Sequence, residues 1–194
     1  MITQRYKINY DCINSQWFGL NEFIKDLFDR YVVIYGLPFP KLRMLEIGSY
    51  MGESTAMFAS SMLFDEIHCI DPFVGKEKFN DNHFYDWEKV YEEFKLNTRF
   101  FDNIILHMDL SYNIYNKFDD GFFDFIYIDA NHEYNEVKKD IELYLPKLAE
   151  NGFIGGHDYH EVWPGVIEAV KDTVGEPTKT FWDTSWIKDG MEII

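Results

Sequence analysis

Five short runs that are apolar nearly throughout punctuate this chain: "KLRMLEIG", "EIHCID", "NIILHM", "FFDFIYIDA" and "GFIGGHD". Helix-like segments lie between them. The clearest is "EYNEVKKDIELYLPKLAEN", where Tyr134, Val137, Ile141, Leu145 and Leu148 recur at the spacing of one helix face. A strand that is apolar on both faces must be covered on both faces. Such strands, alternating with amphipathic helices, predict an α/β fold with a mainly parallel sheet between two helix layers. Asn151-Gly152 is expected to stop the long helix in a left-handed turn before the fifth strand. The tail "TKTFWDTSWIKDGMEII" has no helical period and reads as two strands closing one edge, as a hairpin through Asp183-Thr184.

Ahead of the first strand, Phe23, Leu27, Tyr31 and Ile34 fall on one helix face, and Pro38 and Pro40 are expected to end that segment. The expected layout is one domain over 1–194. It comprises a helical extension over 1–40, an α/β core over 41–175 and closing edge strands over 176–194. At 194 residues and 46% hydrophobic content the chain can bury a sizeable core. The segment from Pro72 to Tyr85 is long for a strand–helix loop, and reads equally as a lid or as a surface excursion with packed aromatics.

The net charge of −16 repels phosphate backbones and anionic lipid, so nucleic acid and membrane surfaces are not expected partners. Two cysteines, Cys12 and Cys69, make no disulfide framework, and Cys69 reads as a buried thiol. The N-terminus lacks an apolar signal core and no apolar run is long enough to span a bilayer, so a soluble, cytoplasmic protein is expected. A homodimer is an allowed assembly.

The first strand runs into "MLEIGSYMGEST", residues 44–55. In an open α/β sheet, ligands bind at the carboxyl ends of the strands where strand order reverses. A glycine loop there lets the backbone approach a ligand closely. The pattern is E-x-G-x-x-x-G, with Tyr50 where a dinucleotide loop would carry its middle glycine. A ring at that place crowds a pyrophosphate but can pack on a smaller cofactor. Asp71 ends the next strand, where an acid can accept both hydroxyls of a ribose. Loop and acid together point to an adenosine-type ligand.

"MLEIGSYMGESTAMFA" resembles the first motif of class I S-adenosylmethionine-dependent methyltransferases. It is particularly similar to catechol-type O-methyltransferases and to the small family grouped with sugar and macrolide O-methyltransferases. The resemblance covers roughly residues 40–175. It implies a Rossmann-like fold with a mainly parallel, seven-stranded sheet. It also implies that Glu46, Gly48, Ser49, Tyr50, Gly52 and Ser54 surround the methionine part of S-adenosyl-L-methionine. Asp71 would hold the ribose, and Met108 and Asp109 of "HMDLS" would lie by the adenine. The bland alternative for Glu46 is a structural carboxylate bonded to loop amides.

The fourth strand ends "YIDANHEY" and the fifth "GGHDYH", both opening onto the face of the glycine loop. Asp129, His157 and Asp158 can converge there as oxygen and nitrogen ligands of a divalent ion. Such an ion lowers the pKa of an alcohol and orients it. His132, three residues past Asp129, is in reach as the base. The resemblance extends to these positions: metal-dependent relatives carry an acid at the place of Asp129, a ligand pair at 157 and 158, and a lysine or histidine base at 132. Vicinal hydroxyls on a sugar- or catechol-like acceptor are implied. His157 departs from that pattern: as a ligand it favours manganese, iron or zinc over magnesium, and the alternatives are that it stands behind the ligands or that the reaction uses no metal. Taken singly, each of these residues is more often structural, and His68, His83, His107 and His160 are read so. Two rivals stand beside methyl transfer. "YNEVK" matches the Tyr-x-x-x-Lys pair of NAD-dependent dehydrogenases, with Tyr134 and Lys138, though Tyr134 reads better as the start of a helix face and Lys138 as solvated. A non-catalytic S-adenosylmethionine-binding module is the other. Trp163, Trp182 and Trp186 read either as a pocket wall or as core.

Overall fold

The computed structural model describes residues 18–38, 40–74 and 86–190. Its strands are β1 (Arg43–Ile47), β2 (Glu66–Ile70), β3 (Ile104–His107), β4 (Phe123–Ile128), β5 (Leu148–Gly156), β6 (Lys179–Thr180) and β7 (Trp186–Asp189). They form one seven-stranded sheet in the order β3-β2-β1-β4-β5-β7-β6. β1 to β5 pair in parallel, while β7 runs antiparallel to both β5 and β6. The expected sheet and closing hairpin are therefore present. Strand order reverses between β1 and β4, which places the crevice above Ile47 and Ile128.

The helices are α1 (Phe18–Tyr35), α2 (Glu53–Ser60), α3 (Trp87–Thr98), α4 (Ser111–Ile114), α5 (Tyr134–Tyr144) and α6 (Pro164–Val174). α1, α2 and α3 cover one face, in a core built on Phe23, Phe58, Phe94, Phe125 and Tyr127. α4, α5 and α6 cover the other, around Ile114, Val137, Ile141, Val166 and Trp186. The apolar face of α1 buries Leu20, Phe23, Leu27 and Tyr31 completely. Its Tyr31 hydroxyl donates to the Asp124 carbonyl at 2.7 Å. Among the described residues no helix is long and apolar enough to cross a membrane.

Two boundaries differ from expectation. Gly36, not the prolines, ends α1: at φ 70 it takes the left-handed conformation and its N–H reaches the Val32 carbonyl at 2.9 Å. The helix expected to run to Asn151 stops at Tyr144, and a 3₁₀ turn over Leu145–Lys147 leads straight into β5. Pro146 lacks the N–H an α-helix needs there. Gly152 makes no left-handed stop and instead lies inside β5, where a Cβ would come within 2.8 Å of the Asp124 carbonyl oxygen. Cys12, His83 and residues 75–85 of the expected lid lie outside the described residues. Cys69 is a buried free thiol, as read.

Candidate active site at the carboxyl ends of the strands

Among the described non-glycine residues, Tyr50, Met62, Phe73, Asp158 and Thr184 have positive φ. All but Met62 lie in loops at the carboxyl end of the parallel strands. Backbone held in sparsely populated regions collects at functional sites.

The β1–α2 loop is tied down from three sides. The Gly48 N–H donates to the Ile70 carbonyl at 2.9 Å, and Asp129 N–H to the Ile47 carbonyl at 2.9 Å. Asp71 accepts the Tyr50 N–H on Oδ2 at 2.8 Å and the Phe73 N–H on Oδ1 at 2.7 Å. Burial raises its pKa and these amide bonds oppose the rise. Each oxygen keeps a lone pair for a further donor. Gly48, at φ 87, fits where a Cβ would lie 2.2 Å from the Asp129 carbonyl oxygen. Gly52, at φ 77, packs where a Cβ would meet Phe94 at 2.8 Å. Both glycines thus serve close packing, and Gly48 joins the loop directly to the β4 end. Ser49 Oγ is buried with no hydrogen-bond partner among the described residues. It is a polar atom available to a ligand.

Glu46 and Ser54 sit beneath this loop. Glu46 is fully buried, with Ser54 Oγ donating to one carboxylate oxygen at 2.6 Å and Thr55 Oγ1 donating to the other. Burial raises its pKa and these hydroxyls oppose the rise. The carboxylate anchors the first turn of α2 through hydroxyls, where the bland alternative had amides. Tyr50 is half exposed, and its ring meets Trp87 edge-on at 6.4 Å. Met108 is exposed beyond β3. Asp109 accepts from Leu110 N–H and Asn113 Nδ2, each at 2.8 Å, at the start of α4.

The ends of β4 and β5 bring the second set together. Asp129, His132 and Asp158 each offer a ligand atom, all within 4.8 Å of one another. His132 Nε2 lies 2.8 Å from Asp158 Oδ2, and His157 Nδ1 3.3 Å from Asp158 Oδ1. His132, expected as the base, thus joins the set that could hold an ion. His157, expected as a ligand, flanks Asp158 from outside that set. Trp163, just before α6, lays its ring on His132 at 4.3 Å and 34°.

Burial would lower both imidazole pKa values, but Asp158 outweighs it. His132 is raised, and His157 rises to about 9 with help from the Asp129 charge. Burial would raise Asp158, yet hydrogen bonds from both histidines hold it well below the usual carboxylate range. Asp129 is raised by burial and further by the charges of Asp158 and Asp183, against the pull of His157.

This sets a pH dependence. The Asp158 and Asp129 carboxylates push the His157 imidazole from its ordinary 6.5 up to about 9, so its stabilisation is complete below 6.5 and is lost as pH rises through 9. Melting temperature measured in chelator is expected to fall across that window, by the equivalent of on the order of 3 kcal/mol. Asp158→Asn is expected to flatten the curve.

Asp183 was legible only as a turn residue. It is buried, accepts from Ser185 N–H at 3.1 Å and Ser185 Oγ at 3.0 Å, and adds a third carboxylate charge near Asp129 and His157. The antiparallel return of β7 brings it there, and no local spacing encodes that approach. His68 and His107 stack with Nδ1 and Nε2 3.0 Å apart, while His160 Nδ1 accepts the Val162 N–H at 3.3 Å. All three are packing or turn residues, as read. The Tyr134–Lys138 pair does make contact: Lys138 stays open to solvent, as read, and its Nζ donates to the Tyr134 hydroxyl at 3.1 Å. That hydroxyl donates to Asp172 of α6 at 2.8 Å, so the pair serves the α5–α6 seam.

A family model described as a methyltransferase domain matches residues 45–159, more than half of the chain. No curated protein matches. Among solved structures, cofactor-bound Rv0187 from MTB aligns with a TM-score of 0.60 at 13% identity, over 92% of this chain and 81% of that one. CalS11, a TDP-rhamnose 3'-O-methyltransferase of calicheamicin biosynthesis, aligns with a TM-score of 0.55 at 13% identity, over 87% and 77%. A structure from Galdieria sulphuraria aligns with a TM-score of 0.49 at 16% identity, over 72% of this chain, which spans 46% of that protein's length. At such identities the likeness is one of fold.

Proposed function

This chain belongs to a methyltransferase-domain family of the class I, S-adenosylmethionine-dependent fold, and from that premise we propose that it moves a methyl group from S-adenosylmethionine to a hydroxyl oxygen of a small, sugar- or catechol-like molecule with the help of a divalent ion. The observation that carries the reading is the convergence of Asp129, His132 and Asp158 within 4.8 Å beside the β1–α2 loop. One imidazole nitrogen and two carboxylate oxygens suit manganese, iron or zinc better than magnesium. The fold-level likeness to a sugar O-methyltransferase is in keeping with it.

The chain's own groups divide the work. Asp71, Ser49 and the amides of the β1–α2 loop are the donors and acceptors available to the cofactor, which supplies an activated methyl group. Asp129 and Asp158 are the carboxylates available to a cation, whose charge lowers the pKa of a nearby alcohol. His132 Nε2–H donates to Asp158 Oδ2, 2.8 Å away, which leaves Nδ1 to take the acceptor's proton and lets Asp158 stabilise the imidazolium that forms. Trp163 limits rotation of that imidazole and offers a wall for a ring.

The test is a methyl-transfer assay over hydroxylated sugars and catechols, run with manganese or magnesium and then with chelator, alongside calorimetry of S-adenosylmethionine binding. Chelator is expected to suppress turnover reversibly without abolishing cofactor binding. Turnover indifferent to chelator would remove the ion. Cofactor binding with no transfer to any acceptor would favour the non-catalytic module.

A further inference from the structure

Trp186 starts β7 opposite Gly156 of β5, and its indole lies in the core under α5 and α6, 1% exposed. Its Nε1 is buried and meets no hydrogen-bond partner among the described residues. An indole N–H can only donate, and buried donors are seldom left unpaired. The placement is constrained. A Cβ on Gly156 would lie 2.9 Å from Nε1 and 2.3 Å from the Ile128 carbonyl oxygen, so glycine at 156 is what lets the indole sit against β5.

Trp186 also lines a cavity of about 10 Å³ whose other walls include Ile128, Asp129, His132, His157 and Val166. Three properties decide what fits. The volume is that of one water, roughly 10–15 Å³, and too small for an acceptor ring. A donor-only N–H repels a cation, so the divalent ion does not belong at that end. A buried water needs two to four polar partners, and Asp129, His132 and His157 can supply the remainder.

We propose that Trp186 is the donor of a single-water site beneath the candidate active site. The water accepts from Nε1–H and donates to the Asp129 carboxylate, with the imidazoles at the ends of β4 and β5 as further partners. It joins the buried indole to those groups whatever reaction they run.

The experiment is NMR on the native protein with ¹⁵N-labelled tryptophan, beside a high-resolution crystal structure. The chain has five tryptophans, and Trp186→Phe assigns the relevant indole signal by deleting it. The expected result is a cross-relaxation peak between that indole N–H and water with the sign of a long-lived bound molecule. One isolated density peak within hydrogen-bond reach of Nε1 is expected with it, and both should be absent in the variant. An indole N–H without the water peak would overturn the proposal. So would a protein carbonyl on Nε1, or density for more than one heavy atom. Should Trp186→Phe fail to fold, the crystal readout on the native chain decides alone.

Discussion

Alanine in place of His132 is expected to lower turnover by about 10²–10⁴-fold, the range over which a positioned acid–base group contributes. Cofactor affinity should stay nearly unchanged. The imidazole lies beyond β4, against Asp158 and Trp163. The loop instead hangs on Asp71 and on the Ile70 carbonyl. Single-turnover methyl transfer and calorimetry measure the two quantities separately. Because His132 is both the proposed proton acceptor and one of three groups able to hold an ion, the variant must also separate those roles. Rate restored by added imidazole marks the base. Rate restored by excess manganese marks a ligand. A large loss of cofactor affinity would make His132 a structural residue.

Apolar patterning made the sheet legible, because burial on both faces dictates composition at every strand position, as the pattern of β4 illustrates. The closing hairpin was legible for the opposite reason: its turn residues, Asp183 and Thr184, interrupt two short β-prone runs. Helix ends were less so. A left-handed Gly36 and a proline-terminated α5 differ in local backbone chemistry, while apolar periodicity continues past both. At the site, the residues ending β4 and β5 converge because parallel strands deliver their ends to one edge, which topology alone predicts. Which imidazole completes the three-residue set with Asp129 and Asp158 was not readable, since spacing along the chain does not fix it. Asp183 and Trp186 reach the site through an antiparallel strand from the far end of the chain, a contact that local spacing does not encode.

Gly48 joins the two halves of the site, and its replacement by alanine is expected to be costly in both stability and binding. A Cβ there would lie 2.2 Å from the Asp129 carbonyl oxygen and 2.6 Å from Ala130 Cα, backbone atoms with no rotamer to yield. The φ of 87 adds a left-handed penalty of about 1–2 kcal/mol for any residue with a Cβ. Together these predict a loss of about 3 kcal/mol or more. For a domain of this size that lowers the melting temperature by roughly 6–12 °C. Gly121→Ala is the matched control, because Gly121 has a φ of 71 with nothing within 4 Å of its would-be Cβ. It carries the conformational penalty without the clash. The loop can relieve the Gly48→Ala clash only by moving off the β4 end. S-adenosylmethionine affinity and manganese affinity, each measured by calorimetry, should then fall together in that variant and in neither measurement for the control. Loss of one without the other would mean that the loop and the Asp129 cluster are independent sites that share only an edge of the sheet.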